Sequence, residues 1–216
     1  MEEEFMWFVR LISIDKEGEQ IVERLRLDGI SCSEDDDTPL LNIILASSED
    51  SLKHLNMSSL RQNNRQKIVL LQTSGIFDID EQHFFNAILS FPQNDDVYSQ
   101  IKSFLYCAYN FIDVHSIISV DFSDFYSIIS GRNIITMQQY VYTTDVEDAL
   151  SQLKYDKTNK QDKYIYAITG AQSQEEVKQL KTFDKHLSTE LCGEEFKFNI
   201  VAGGQRQFFL LTATPY

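Results

Sequence analysis

Two aspartates stand three residues apart in the run Ser119-Val120-Asp121-Phe122-Ser123-Asp124-Phe125. Paired carboxylates can serve an acidic hydrolytic site as general acid and base. The same pair also fits a local job. Asp121 can cap a short helix over Ser123–Ile129, and Asp124 can add favourable charge to its first turn. Other acidic groups point to less. Glu34-Asp35-Asp36-Asp37 lies within a polar stretch, Ser31–Pro39, and reads as a solvated loop. Asp78, Asp80 and Glu81 read as negative charge at a helix start. His54, His83, His115 and His186 are scattered without the pairing that zinc requires. No G-x-S-x-G nucleophile turn occurs. Cys32, Cys107 and Cys192 are an odd number, far apart and without C-x-x-C, which reads as reduced, packed thiols of a cytosolic protein. Neither a metal nor a cofactor is expected.

Phosphate chemistry is limited by glycine. The 216 residues include 8 Gly and 3 Pro, where average usage gives roughly 15 and roughly 11. Residues 1–120 hold only Gly18, Gly29 and Gly75, no G-x-G occurs, and Gly203-Gly204 is the single Gly-Gly pair. Phosphate loops of the P-loop and Rossmann kinds are therefore absent as motifs. The net charge is −14 and lies mostly in residues 1–120, which hold 20 acidic and 9 basic residues. Such a surface repels nucleic acid and anionic lipid. The start Met1-Glu2-Glu3-Glu4 lacks the positive charge of a signal peptide, and no apolar run reaches about 18 residues. With 43% apolar and 12% aromatic residues the chain can build a real core.

The elements that must position these residues follow from periodicity. Phe5–Ile14 reads as one buried strand, residues 18–28 as a helix stopped near Gly29, and Leu40–Leu45 and Ile68–Leu71 as central strands of a parallel sheet. Ser51–Leu60 and Glu81–Leu89 read as helices. Val97, Ile101, Phe104, Leu105, Ala108 and Ile112 repeat at three and four residues, which predicts a long helix entered through Asn94, Asp95 and Asp96. Ile134–Tyr140 and Tyr164–Ile168 read as strands. Thr144–Glu147 and Ser173–Glu176 fit capping boxes for helices continuing through Leu153 and Leu187. Phe196, Phe198 and Ile200 alternate with Lys197 and Asn199, a half-buried strand, and Gly203-Gly204-Gln205 reads as a hairpin turn into Phe208–Ala213. The last part thus predicts a two-layer α/β unit.

These segments resemble the tubulin/FtsZ family. The long helix followed by Ser-Val-Asp-Phe-Ser-Asp-Phe is similar to the central helix and the Asn-x-Asp-x-x-Asp synergy loop of FtsZ, the bacterial division GTPase. Ile128–Met137 resembles V-M-S-x-x-G-x-A-x-M, and Tyr166-Ala167-Ile168-Thr169-Gly170 resembles V-N-I-T-G. Asn199–Gly203 resembles N-I-I-F-G, and Leu210–Thr214 resembles the closing V-T-V-I-A-T-G strand. The matches run in order over residues 95–216. The first part agrees in outline only. Ser13–Gly18 stands where the family has a glycine-rich loop, and Ala46-Ser47-Ser48-Glu49-Asp50-Ser51 stands where it carries G-G-G-T-G-T/S-G.

The resemblance implies an α/β fold: a reduced, Rossmann-like remnant of the nucleotide domain over 1–93, a central helix and synergy-loop-like segment over 94–130, and a C-terminal two-layer α/β domain over 131–216. Asp15, Glu17, Glu49 and Asp50 would put carboxylates where a triphosphate sits, so GTP binding and hydrolysis are not expected. In the family the synergy loop projects into the GTP site of the next subunit, where its aspartates orient the attacking water and the associated cation. By that resemblance Ser119, Asp121, Phe122 and Asp124 form an interaction surface, with Ser119 replacing the family's Asn. The expected function is that of a cytoplasmic, non-catalytic pseudo-GTPase acting by protein contacts, with FtsZ or itself as partner, in cell division. A self-associating structural module and a divergent GTPase are the alternatives. The chain ends at Pro215-Tyr216, so the family's membrane-recruiting tail is not expected.

Overall fold

The computed structural model describes residues 4–33, 39–53, 55, 60, 65–79, 84–93, 96–112, 116–118, 120–142, 152, 159–171, 189, 193–202 and 205–216. Along the chain these form β1 (Glu4–Met6), β2 (Val9–Ser13), α1 (Lys16–Leu27), β3 (Ile30–Cys32), β4 (Leu41–Ala46), α2 (Glu49–Leu52), β5 (Lys67–Gln72), β6 (Ala87–Ser90), α3 (Val97–Ile112), β7 (Ser116–Ile118), α4 (Phe122–Ile129), β8 (Gly131–Val141), β9 (Lys163–Ala171), β10 (Glu195–Ala202) and β11 (Gln207–Pro215). They divide into two compact units. One comprises Met1–Lys102, Ser130–Ile134 and Tyr216; the other comprises Ser103–Ile129 and Ile135–Pro215.

The first unit is built on parallel strands in the order β2-β4-β5-β6, with the opening residues of β8 beside β6. A sheet covered on both faces needs strands that are apolar throughout. β4 comes close to that demand: every residue from Leu41 to Ala46 is buried, and the one polar residue, Asn42, donates its side-chain amide to the Leu60 carbonyl. Ile44, Ile68, Leu70 and Ile88 form one face of the core with Leu60 and Ile79. Each such side chain contributes about 1.5–3 kcal/mol by leaving water. Helix α1 turns Ile21 and Leu25 inward. It stops because Gly29 takes a φ of +83°, a conformation that costs a side-chain-bearing residue free energy. Tyr98 and Lys102 on the first turns of α3 both bond the Asp28 carboxylate at the end of α1.

Two expectations for this unit are corrected. The run Phe5–Ile14 is two strands, broken by a turn at Trp7 and Phe8. β1 leaves the main sheet and pairs in parallel with β3. Continuous apolar character cannot reveal such a break, because the turn residue Phe8 is itself buried. The segment Glu81–Leu89 does not end as a helix. Ala87–Ser90 is a strand, hydrogen-bonded to β5 on one side and β8 on the other. Short apolar runs fit either period, and here the strand partners decide. Of the helix expected over Ser51–Leu60, the described residues show the short α2, which begins at Glu49 and ends at Leu52; residues 54 and 56–59 lie outside them. Asp80, Glu81, His54 and His83 lie outside the described residues, as does the run Glu34–Asp37.

The second unit has the strand order β8-β11-β9-β10-β7. β9 and β10 are parallel, while β11 runs antiparallel to β9. The expected hairpin is therefore corrected: β10 and β11 do not pair, and β9 lies between them. Thr169 and Gly170 on β9 hold the returning chain. The Thr169 hydroxyl donates to the carbonyl of Gln205 at 2.6 Å. A Cβ on Gly170, where φ is +84°, would lie 2.8 Å from the Arg206 Cα. Asn199 is fully buried and donates to the Asn110 carbonyl of α3 at 3.1 Å. Phe125 anchors α4 between Phe104 and Phe111 of α3, with ring centroids 5.9 and 6.2 Å apart. The helices expected through Leu153 and Leu187, Cys192, and the Gly203-Gly204 pair lie outside the described residues.

Candidate functional site

Three loops carry the residues that sequence singled out, two in the first unit and one in the second. In the first unit, the connections leaving β2 and β4 lie side by side, because Ser13 pairs with Leu45. Carboxyl ends of parallel strands are the usual ligand crevice of such sheets. Asp15 occupies this place with its own side chain. It caps α1, with one carboxylate oxygen accepting from the Gly18 amide at 2.9 Å. The other oxygen accepts from the Ser47 amide at 2.7 Å and the Ser47 hydroxyl at 2.9 Å. Backbone N–H groups from two loops thus converge on one internal anion, as they would on a phosphate. Burial alone would raise the Asp15 pKa, but the amides of Gly18 and Ser47 and the Ser47 and Ser51 hydroxyls outweigh it and hold the carboxyl below its ordinary value.

Neighbouring groups extend the pattern. Glu17 accepts from the Ser74 hydroxyl at 2.8 Å, which ties α1 to the segment after β5. Glu49 and Asp50 stand in the first turn of α2, and Asp50 pairs with Lys53. Gly18 serves packing: an added Cβ would lie 3.2 Å from Leu45 Cβ and from Ser13 Cβ. It lets α1 press against the sheet.

In the second unit, Asp121 and Asp124 are brought together by α4. Asp121 caps this helix: one side-chain oxygen accepts from the Asp124 amide at 2.8 Å, and its carbonyl accepts from the Phe125 amide at 3.0 Å. In return Asp124 reaches back to the Asp121 amide at a long 3.4 Å. This is the reciprocal logic of a capping box, run with two aspartates. The second oxygen of Asp124 is held by Lys197 of β10 at 2.7 Å, and the same ammonium lies 3.6 Å from Glu195. Ser127 Oγ lies 2.6 Å from the Glu195 carboxylate and 2.7 Å from the Asp124 carbonyl, two acceptors for one proton. The Lys197 hydrogen bond is the largest influence on Asp124 and keeps its carboxyl below the ordinary range; the same bond raises the pKa of Lys197. Asp121 is exposed. Phe122 is partly exposed and stacks on Tyr126 at 6.3 Å. Ser119 lies outside the described residues.

Lys197 was not singled out by its sequence. The only signal was its polar position in the alternation of Phe196, Phe198 and Ile200, and its partner lies 73 residues away. Among the described residues no group of three or more His, Cys, Asp or Glu is placed to hold a metal ion. Asp78 is exposed. Cys107 is buried, and burial pushes its thiol well above the usual range. Burial likewise raises Cys32 to about 12, although Arg26 pulls the other way. Among the described residues no helix is long and apolar enough to cross a membrane.

No family model and no curated protein matches the sequence. Solved structures do. CetZ from Methanosaeta thermophila strain DSM 6194 is similar at a TM-score of 0.55 and 14% identity, covering 92% of this chain and 66% of that one. CetZ1 from Haloferax volcanii, a GDP-bound monomer, is similar at a TM-score of 0.53 and 9% identity, covering 93% and 69%. The chain thus spans about two thirds of the length of these structures. The likeness is one of fold, and the fold is tubulin/FtsZ-like: a mixed α/β architecture of the Rossmann type in its first part.

Proposed function

We propose that this chain is a non-catalytic, cytoplasmic protein of tubulin/FtsZ-like fold that acts through protein contacts. Its partner is a nucleotide-bearing polymer of the same fold, FtsZ in the first place, which it caps or modulates during cell division. The observation that carries the non-catalytic part is Asp15. Its carboxylate takes the amides of Gly18 and Ser47 that a phosphate would need. A nucleotide phosphate brought to about 4 Å from such a carboxylate costs about 4 kcal/mol per charge pair in a half-wet site. One such pair offsets about half of the roughly 8 kcal/mol of a micromolar affinity.

The docking part rests on Asp121 and Phe122 at the start of α4. A chain with this loop and a self-filled phosphate crevice makes a one-sided contact: it can meet the nucleotide face of a partner but offers no nucleotide in return. Such a subunit ends a filament instead of extending it. The test is co-sedimentation with an assembling FtsZ, comparing the wild-type chain with Asp121→Ala/Asp124→Ala. The expected result is reduced polymer mass or altered GTP turnover with the wild type and a weaker effect with the variant. Unchanged polymer and turnover at equimolar protein would sink the docking role. Oligomers of the chain alone in light scattering would favour a self-associating module.

A further inference from the structure

We infer that Lys197 is the built-in counter-cation of the Asp121–Asp124 loop, so that this loop keeps its shape and neutralises Asp124 without a divalent metal ion, leaving Asp121 as the carboxylate it offers to a partner. The inference rests on the docking role proposed above and specifies its chemistry. A cation bound among carboxylates is the largest local charge of such a site; it draws the carboxylates together and screens their repulsion. Here an ammonium group does both. Lys197 Nζ is 2.7 Å from Asp124 and 3.6 Å from Glu195, a single cation between two carboxylates.

The arrangement is positioned from several sides. Lys197 sits on β10, whose pairing with β9 runs from Glu195 to Ala202, so its backbone is fixed. Asp124 is fixed by α4, which Phe125 anchors in the core. Ser127 joins the same group through Glu195, and Lys163 of β9 donates to the Ser127 carbonyl at 3.3 Å. Among the described residues, the titratable groups bonded to or beside Asp124 are Lys197 and Glu195 from β10 and Asp121 from its own loop, with Lys163 of β9 bonded to the Ser127 carbonyl nearby. Lys197 supplies a local positive charge in a chain that is strongly acidic as a whole. Asp124 has one oxygen on Lys197 and the other toward the Asp121 amide. Asp121 directs one oxygen to the Asp124 amide and is otherwise on the surface. At the start of α4, Asp121 is the most exposed of these groups, beside the partly exposed Phe122 and Asp124.

The test uses the full chain alone, so it reads Lys197 separately from the partner. Carbon-detected NMR follows the carboxyl titration of Asp124 in the wild type, Lys197→Met and Lys197→Arg, and manganese is then added as a paramagnetic probe. The expected result is a depressed Asp124 titration in the wild type, restored toward the ordinary carboxylate range in Lys197→Met and kept low in Lys197→Arg. Manganese is expected to leave the Asp121–Phe125 amides of the wild type no more broadened than other surface amides. An Asp124 titration unmoved by Lys197→Met would overturn the inference. So would selective manganese broadening of the wild-type loop that Asp124→Asn removes. If the titration behaves as expected and co-sedimentation with FtsZ fails, Lys197 keeps its role and only the docking reading falls.

Discussion

Asp15 in the first unit and Asp121 in the second do the same local job in opposite surroundings. Each is an aspartate that caps the helix following it by accepting from an amide three residues on. Asp15, however, spends its second oxygen on Ser47, in a loop from another strand. Asp121 stands exposed at the start of α4. The difference teaches that a carboxylate's sequence context does not decide whether it faces inward or outward. The neighbouring loop decides. In the first unit the adjacent parallel strands bring the Ser47 amide and hydroxyl within reach, and the acid bonds both. In the second unit the neighbouring strand supplies Lys197, which takes up Asp124 and leaves Asp121 outward.

The largest expected effect breaks the first half of the comparison. Asp15→Ala removes a cap worth about 1 kcal/mol and the cross-loop bonds to Ser47, for a total of roughly 2 kcal/mol. Urea unfolding measures it, and a loss equal to that of Asp121→Ala would erase the distinction. The same carboxyl gives a pH signature. Its pKa is lowered in the folded chain, so the unfolded chain binds the proton more readily. The contribution is fully present above the ordinary carboxylate value near pH 4 and is lost as pH falls through the depressed folded value. Asp15→Asn is expected to flatten the acid limb of stability, and an unchanged limb would contradict the bonding described.

Asp121→Ala comes next, at about 1 kcal/mol, because it removes a cap and no cross-loop bond. Its larger consequence is expected in co-sedimentation, where Asp15→Asn should leave the interaction intact. The smallest effect is the coupling of Lys197 with Asp124. The two side chains are 32% and 37% exposed, so a double-mutant cycle should give roughly 0.5 kcal/mol, shrinking with added salt. On the chemical side, Cys107 is expected to stay unmodified by a thiol reagent until the chain unfolds, since its side chain is fully buried.

What the sequence made legible were segments whose neighbours in the chain determine them. β4 and β5 could be recognised because strands buried on both faces carry continuous apolar runs, here Ile43–Ala46 and Ile68–Leu71, and α1 because Ile21, Leu25 and Gly29 mark its face and its end. The short tags around Thr169-Gly170 and Asn199 were legible for a related reason: each fixes the fold through one tight contact, Gly170 against Arg206 and Asn199 against α3. The sequence around β6 reads as helix because four residues cannot separate the two periods without their strand partners. The site was half legible. Acid in the two loops of the first unit was plain, and so was the capping geometry of Asp121. The bond from Ser47 to Asp15 spans 32 residues and that from Lys197 to Asp124 spans 73, so no local pattern encodes either.

We propose that at the ends of β2 and β4 the Asp15 carboxylate takes the place a triphosphate would need. Equilibrium dialysis of the purified chain against radiolabelled GTP and GDP, each with magnesium, tests it most directly. The account predicts no saturable binding up to millimolar nucleotide. A micromolar dissociation constant for either nucleotide, weakened by mutation of Ser47 or Gly18, would contradict it.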